Sequence, residues 1–304
     1  MGKKTTGHLV IVGGHEDRKG DMPVLKRFVE LAPPGKGPVY VLTAATEEPE
    51  AAWETYQDAF GELGVKDLRP LHVGQREQAN DRALWEPLAE ARAVFMTGGD
   101  QKKLISVLGG TQLCDTLRRI YIERGVCIGG TSAGASALSE HMLAEVGEDD
   151  NPLTSDVRLA AGLGFVLNAV IDQHFSQRGR LVRLLAIVAH NPKLMGVGID
   201  ENTGLIIKRG RGLEVVGEGA VTLVDGRDMR TRLVRSGDRE VFRASDVHVH
   251  LLPAGDALDL SGDKADIAAE EAGYSPGLVR LLKVLVGEDA VDTQFRSPPP
   301  EPMR

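Results

Sequence analysis

The chain has 304 residues, of which 42% are hydrophobic and 26% are charged, proportions that are ordinary for a globular enzyme. Its formal net charge of −8 at pH 7 argues against a general nucleic-acid binder, because such proteins usually carry a basic surplus. The apolar stretch near the N-terminus, residues 9–12, is too short for a signal peptide or a membrane span. We therefore expect a cytoplasmic protein that binds neither nucleic acid nor membrane. The two cysteines, Cys114 and Cys127, lie in apolar patterns that predict buried, reduced thiols.

The first half of the chain alternates strand-like and helix-like segments. Apolar runs predict strands at 8–12, 39–42, 68–73, 93–96 and 126–128. Helical spacing of apolar residues predicts helices at 21–31, 49–63, 79–90 and 113–123. Strands separated by helices of this length predict an α/β fold with a mostly parallel sheet and helices on both faces. In such a sheet the ligand site lies beyond the carboxyl ends of the strands, where Gly13, Gly98 and Gly129 would meet.

The second half changes character. The acidic stretch 141–156 predicts a solvated loop, residues 166–171 and 196–199 predict strands, and residues 177–190 predict a helix. From 205 to 252, short strands with glycine turns predict antiparallel strands added to the same domain, with a hairpin signal at Asp225-Gly226. We expect one hydrolytic domain over 1–257. The extension over 258–304 is expected to hold a helix at Pro276–Val286 and a disordered proline-rich tail.

The segment "CIGGTSAGASAL", residues 127–138, contains the motif G-x-S-x-G around Ser132. Such a motif forms a sharp turn between a strand and a helix and lifts a serine hydroxyl above the end of the strand. The apolar run before Ser132 and the predicted helix at 133–140 match that context. Because the motif is short, it also fits a glycine-rich corner with an incidental serine.

A serine hydroxyl becomes a useful nucleophile only with a base that takes its proton and a third group that orients the base. His174 ends an apolar strand in "AVIDQHF", at the sheet edge expected for Ser132, although a structural histidine would also fit there. Asp200 or Glu201 ends the next strand in "GVGIDENTG", and spacing does not choose between them. The order serine, histidine, acid differs from that of the α/β-hydrolases and argues against an ordinary esterase or lipase.

Charged and amide side chains near His174 indicate a polar substrate. A guanidinium fork matches a carboxylate, so the three arginines that follow His174 could hold an acidic substrate or could be solvated. Amide and carboxylate groups nearby could bind a cationic or amide group. The arginines are Arg178, Arg180 and Arg183, and the other groups are Gln101, Asp172 and Gln173. Elsewhere, His248 and His250 alternate on a strand without an evident third metal ligand, which favours solvent-facing histidines.

Four blocks, "FMTGGDQKKL", "GGTSAGASAL", "IDQHFSQRGR" and "GVGIDENTG", resemble the cyanophycinases of peptidase family S51, which also contains the aspartyl dipeptidases called peptidase E. The resemblance covers residues 9–252, and the last two blocks favour cyanophycinase. It implies a fold similar to class I glutamine amidotransferases (flavodoxin-like), a homodimer, and a serine-type exopeptidase that needs no metal or organic cofactor. The implied substrate is cyanophycin, a poly-aspartate with arginines on its β-carboxyls, and the implied product is β-aspartyl-arginine.

The resemblance also implies roles for individual residues. It implies a Ser132–His174–Glu201 triad. The oxyanion donors are expected from the residues themselves: the N–H of Ala133 follows the nucleophile, and that of Gly99 lies at a neighbouring strand end, although Gly98-Gly99 also fits a simple tight turn. The resemblance places six residues in the substrate pocket: Gln101, Asp172, Gln173, Arg178, Arg180 and Arg183. The pair Lys102-Lys103 and the long segment after residue 258 depart from the pattern.

The sequence leaves two alternative functions open. A peptidase E-like enzyme would cleave small aspartyl dipeptides instead of the polymer. A non-catalytic binder on the same scaffold would be insensitive to Ser132→Ala and would not react with a serine-directed inhibitor.

Overall fold

The alternation of strands and helices in the first half of the chain is present in the computed structural model, which describes residues 7–35, 37–145, 158–236, 239–262 and 265–287. The strands are β1 (His8–Val12), β2 (Val39–Leu42), β3 (Leu68–Leu71), β4 (Ala93–Met96), β5 (Cys127–Thr131), β6 (Ser139–Glu145), β7 (Arg158–Ala161), β8 (Val166–Asp172), β9 (Met195–Ile199), β10 (Thr203–Lys208), β11 (Gly212–Gly217), β12 (Ala220–Asp225), β13 (Arg230–Ser236), β14 (Arg239–Ser245), β15 (His248–Pro253) and β16 (Ala257–Asp259). The helices are α1 (Pro23–Leu31), α2 (Pro49–Glu62), α3 (Arg76–Ala79), α4 (Arg82–Trp85), α5 (Gln101–Leu108), α6 (Gln112–Arg124), α7 (Ala133–Leu138), α8 (Leu181–His190), α9 (Ala265–Glu271) and α10 (Pro276–Val286).

Most of these strands lie in two sheets. The larger has the order β16-β11-β10-β1-β5-β4-β2-β3, in which β1 to β5 are parallel and the other three strands add antiparallel. The smaller has the order β15-β12-β9-β8-β6-β7, with β6, β8 and β9 parallel. The predicted α/β class is confirmed, but the parallel strands are divided between the sheets because strand pairing is a tertiary property that local patterns do not reveal.

The central strand β1 shows why its sequence is continuously apolar. Leu9 and Ile11 face one buried cluster, which also holds residues of α7, β9 and α10. Val10 and Val12 face a second cluster with the aromatic rings of α1, α2 and β4. A parallel strand covered on both faces has no polar side to present, which explains the unbroken apolar run.

The C-terminal part of the described chain packs on this core. β16 pairs with β11, and Leu278, Leu282 and Leu285 of α10 are buried. The helix predicted at Pro276–Val286 is confirmed. The division between 257 and 258 stays a prediction, and the proline-rich tail lies outside the described residues. Cys114 and Cys127 are buried and form no disulfide, as predicted.

The prediction of a single helix over residues 79–90 is wrong. The structure has α3, α4 and a 3-10 turn over Glu86–Glu90 instead. The carboxylate of Asp81 accepts a hydrogen bond from the N–H of Ala83 and starts α4, so a helix cap lies where the apolar spacing predicted a helix interior. Pro87 lacks the N–H that an α-helix would need there. Helix α5 was not predicted.

Three other boundaries differ from the sequence expectation. The helix predicted for 133–140 ends at Leu138, and β6 occupies Ser139–Glu145, where a loop was predicted from 141; residues 146–157 lie outside the described residues. β6 is held between β7 and β8, so pairing on both sides outweighs its polar composition. The helix predicted for 177–190 begins at Leu181, after turns in which Arg178 N–H donates to the carbonyl of His174.

The hairpin predicted at Asp225-Gly226 is also wrong. β12 pairs with β9 and β15, whereas β13 pairs with β14. The Asp225 carboxylate accepts hydrogen bonds from the backbone and guanidinium of Arg227, which shapes a longer connection. Among the described residues, no helix combines the length and the apolar character needed to cross a membrane.

Candidate active site

The end of β1 and the turn after it hold three loops by backbone hydrogen bonds. Three successive carbonyls each accept one bond from a different loop: Val12 O from Ser132 N–H (3.0 Å), Gly13 O from His174 N–H (2.8 Å) and Gly14 O from Asn202 N–H (2.9 Å). Gly14 has φ +97°, and a Cβ there would lie 2.3 Å from the His174 ring, so only glycine allows this approach. The end of a strand in the larger sheet thereby joins two loops of the smaller sheet.

Ser132 occupies the sharp turn between β5 and α7. Its backbone has φ 52° and ψ −110°, an unusual conformation for a residue with a side chain. Strain of this kind persists where the surrounding structure fixes it, and it concentrates at functional sites. The structure therefore has the geometry that the G-x-S-x-G motif predicts.

Ser132, His174 and Glu201 are brought together in one hydrogen-bonded chain. Ser132 Oγ lies 3.0 Å from His174 Nε2, and His174 Nδ1 lies 2.6 Å from Glu201 Oε1. With Glu201 ionised, Nδ1–H donates to it and leaves the Nε2 lone pair to accept the serine proton. Asp200 does not take this position, because its carboxylate accepts bonds from the N–H groups of Ser176 and Ala220.

The surroundings of this chain favour a neutral histidine next to a charged carboxylate. Burial lowers the pKa of His174 below its ordinary value, and the hydrogen bond to Glu201 offsets only part of that effect. Burial would raise the pKa of Glu201, but the hydrogen bond from His174 and the electrostatic interaction with His15 outweigh it, so the pKa lies below its ordinary value. A general base must be unprotonated to act, so both shifts favour the active state at neutral pH.

His15 is a member of the site that the sequence analysis missed. Its Nδ1 lies 3.1 Å from Glu201 Oε2, and its ring stands edge-on to that of His174 with 5.1 Å between centroids. The backbone has φ 47°, and the side chain is 69% exposed. His15 follows Gly13-Gly14 directly, so the signal was its place after a strand at the edge where ligands bind.

Glu16 lies next to His15 and is almost completely buried beside Ser132. Its side chain is 4% exposed, and its two carboxylate oxygens accept hydrogen bonds from the Tyr56 hydroxyl and the Thr131 hydroxyl, the latter at 2.5 Å. Both partners are neutral. Glu16 thus places a carboxylate beneath the site, held by hydroxyl groups.

A cavity of about 260 Å³ opens in front of Ser132 and His174. Glu16 and Tyr56 contribute to its lining, together with two arginines, Arg18 and Arg178. The Arg18 guanidinium lies 5.7 Å from the centroid of the Tyr56 ring, and Arg178 is exposed. The cavity therefore combines one buried carboxylate with two guanidinium groups.

The other residues expected to bind substrate have partners within the protein. Arg180 and Arg183 donate to the 2% exposed carboxylate of Asp172, at 3.2 Å and 2.9 Å respectively. Arg180 also donates to Gln173 Oε1 at 2.9 Å, and burial lowers its pKa to about 10. The Gln101 amide donates to the carbonyl of Leu143 at 2.7 Å. Their role in substrate binding stays a prediction.

The expected oxyanion donors flank the serine. Ala133 is the first residue of α7, so its N–H belongs to the group at a helix start that has no intrahelical acceptor. Gly98 lines the cavity, and Gly99 follows it with φ +140°. A Cβ at Gly99 would lie 2.2 Å from the carbonyl of Ala45, so this turn requires glycine. The role of Gly99 and Ala133 also stays a prediction.

The chain is similar to known proteins over most of its length. Residues 9–215 match peptidase family S51. The chain is 34% identical over 249 residues to a cyanophycinase of Geminocystis herdmanii, covering 82% of this chain and 92% of that protein. It is 36% identical over 255 residues to a cyanophycinase of Synechococcus elongatus, covering 84% and 79%.

A solved structure shares the fold. The crystal structure of a peptidase from an acI-B1 actinobacterium superposes with a TM-score of 0.59 at 22% identity, covering 84% of this chain and 98% of that one. The sequence matches extend over most of the chain and of its relatives. The chain belongs to peptidase family S51.

Proposed function

We propose that this protein is a cyanophycinase, a serine-type peptidase that releases β-aspartyl-arginine from cyanophycin. The observation that carries the proposal is the hydrogen-bonded chain from Ser132 through His174 to Glu201 in a member of peptidase family S51. The relatives named cyanophycinase, matched over four fifths of the chain, support the choice of substrate.

In the proposed reaction, His174 Nε2 takes the proton of Ser132 Oγ as Oγ attacks the carbonyl carbon of a backbone amide. The charge that develops on the carbonyl oxygen is bound by the N–H groups of Ala133 and Gly99. His174 then gives its proton to the leaving amine, and the carbon–nitrogen bond breaks. His174 then takes a proton from water as the water attacks the acyl-enzyme, and it gives that proton to Ser132 Oγ as the bond between Oγ and the acyl carbon breaks. Glu201 stabilises the charged imidazole throughout.

The charges of the cavity match the repeating unit of the polymer. Each unit carries an arginine guanidinium and that arginine's carboxylate. Glu16 would accept from the guanidinium, because its carboxylate lies at the cavity wall and its hydrogen-bond partners in the described part of the chain are neutral hydroxyl groups. Arg18 and Arg178 would bind carboxylate groups in the bidentate manner of arginine. A zwitterionic substrate thus fits better than an apolar one.

The location, oligomeric state and domain boundary of the enzyme are proposed from the sequence and the family resemblance. We expect a cytoplasmic homodimer with its hydrolytic domain over residues 1–257. Light scattering on the purified protein measures the oligomeric state, and expression of residues 1–257 tests the boundary.

The test uses purified protein and insoluble cyanophycin, with soluble products identified by mass. Wild type is expected to release β-aspartyl-arginine, and Ser132→Ala is expected to release none. Small α-aspartyl dipeptides serve as the second substrate, and their hydrolysis without cleavage of cyanophycin would assign the protein to the peptidase E type. Equal release by wild type and Ser132→Ala would remove Ser132 from the mechanism.

A further inference from the structure

Three groups that can bind a metal ion meet at the outer side of the triad. His15, His174 and Glu201 each offer one ligand atom, and these atoms all lie within 4.8 Å of one another. The two oxygens of Glu201 already connect the rings, with Oε1 facing His174 and Oε2 facing His15. Because the carboxylate lies between the two imidazole rings, small movements of these side chains would bring all three ligand atoms to one ion.

The types of ligand atom at this site favour a transition-metal ion such as Zn²⁺. Two histidine nitrogens and one carboxylate oxygen, with a fourth position left to water, match the four-coordinate Zn²⁺ sites that have three protein ligands. His15 is 69% exposed and lines the cavity, so an ion can reach it from solvent without opening the core. Calcium and magnesium prefer oxygen ligands, and this site offers them only one carboxylate.

We propose that Zn²⁺, or a similar transition-metal ion, binds His15, His174 and Glu201 and reversibly switches off the nucleophile. The ion is an inhibitor in this proposal and takes no part in hydrolysis. The binding half of the proposal is independent of the substrate, and the inhibitory half rests on the proposed function.

The inhibition follows from the tautomer of His174. In the active form the ring proton is on Nδ1, and the Nε2 lone pair faces Ser132 Oγ. An ion bound at Nδ1 needs the lone pair of Nδ1 itself, so the neutral ring must carry its proton on Nε2 instead. The N–H at Nε2 can then only donate to Ser132, and it cannot accept the serine proton. An ion bound at Nε2 occupies the Nε2 lone pair that would accept the serine proton, so either binding mode stops the reaction.

Binding is measured first by titration calorimetry with Zn²⁺ on Ser132→Ala protein, which removes the serine and keeps all three ligands. One ion per chain is expected at this site. His15→Asn in the same background should weaken its affinity by at least about tenfold, because losing a direct ligand costs no less than losing a supporting contact. Asparagine is chosen because it tolerates the backbone of residue 15, with φ 47°. Unchanged affinity in the His15→Asn protein would overturn the site.

Inhibition is then measured on otherwise wild-type protein as loss of cyanophycin cleavage with added Zn²⁺, with recovery after a chelator. His15→Asn should require at least about tenfold more Zn²⁺ for half-inhibition relative to its own metal-free rate. The control is His248→Ala/His250→Ala, which removes a histidine pair outside the site and should be inhibited like wild type. Full activity of wild type at Zn²⁺ concentrations that saturate the site would overturn the switch. A protein that binds Zn²⁺ but does not cleave cyanophycin would refute the proposed function and leave the metal site standing.

Discussion

Two regions beside His174 contain the same kinds of residue, a buried carboxylate and two arginines. They differ in whether the arginines bind that carboxylate. In the first, the buried carboxylate of Asp172 is bound by two arginines of this chain, Arg180 and Arg183. In the second, the buried carboxylate of Glu16 is bound by two hydroxyl groups, and the arginines stand in the cavity wall. Residue types do not distinguish these regions.

The difference lies in which charges are already neutralised. A buried carboxylate bound by two guanidinium groups is already neutralised, and removing one partner leaves an uncompensated buried charge. A buried carboxylate with neutral partners at a cavity can still attract a cation from outside. We therefore expect substitutions at Asp172 to affect folding first, and substitutions at Glu16 to affect substrate binding first.

The largest expected effect is on stability at Asp172. Asp172→Ala should lower the free energy of unfolding by about 3–5 kcal/mol, because Arg180 and Arg183 then lose the carboxylate that compensates their partly buried charges. Chemical denaturation measures this change. Asp67→Ala, which breaks an exposed pair with Arg69, should leave the midpoint in place. An unchanged midpoint for Asp172→Ala would mean that this cluster does not stabilise the fold.

The next effect is on substrate binding at Glu16. Glu16→Gln should raise KM for soluble cyanophycin fragments by roughly 10- to 100-fold, because a hydrogen bond to a charged group is worth about 1.5–3 kcal/mol. Steady-state kinetics measures the change in KM. Glutamine is chosen because its amide oxygen can still accept a hydrogen bond from a hydroxyl group. Glu214→Gln is the matched control, since Glu214 is another buried glutamate, held by Arg27 and Lys208 away from the cavity. Glu214→Gln should lower the stability of the protein and leave KM unchanged. A raised KM for Glu214→Gln together with an unchanged KM for Glu16→Gln would contradict the assignment of Glu16 to the substrate site.

A smaller effect separates two arginines on neighbouring turns. Arg178→Ala should raise KM about tenfold with no change in melting temperature, because the side chain lines the cavity and is exposed. Arg183→Ala should lower the melting temperature, because it removes a partner of Asp172. KM and melting temperature are measured for both variants, so that the effect on binding and the effect on stability can be separated for each arginine. If Arg183→Ala raised KM at unchanged melting temperature, the ion-pair cluster would belong to the substrate site.

The smallest effect is on the pH profile. Because burial lowers the pKa of His174, kcat/KM should stay high as pH falls through neutrality and should drop only below pH 6.5, where the ring becomes protonated. The direction is a loss of activity towards acid, since the charged ring cannot accept the serine proton. Rates measured between pH 4 and 8 locate the midpoint. A midpoint above 7 would show that the attraction of Glu201 outweighs burial.

The parts of the site that lie at strand ends could be predicted from the sequence. Ser132 and His174 could be placed because each follows an apolar strand, and carboxyl ends of parallel strands meet. Asp200 and Glu201 could not be separated, since the choice depends on hydrogen bonds from Ser176 and Ala220 that are distant in sequence. The family resemblance favoured Glu201, and the structure brings that residue to His174.

Charge pairing was beyond what the sequence could predict. The arginines after His174 could be recognised as a cluster, but whether they face solvent, substrate or Asp172 depends on how the turns after β8 fold. His15 and Glu16 had a usable signal, a glycine pair at a strand end, and were missed because no motif names them. The division into two sheets was missed for the same physical reason: pairing partners are chosen by tertiary packing.

The measurement that tests the central claim most directly is covalent labelling of Ser132. A sulfonyl fluoride reacts with a serine activated by a base, so intact mass and peptide mapping should show one label per chain, on Ser132. His174→Ala should label far more slowly under the same conditions, because the base is gone. Labelling at another residue, or equal rates with and without His174, would contradict the account.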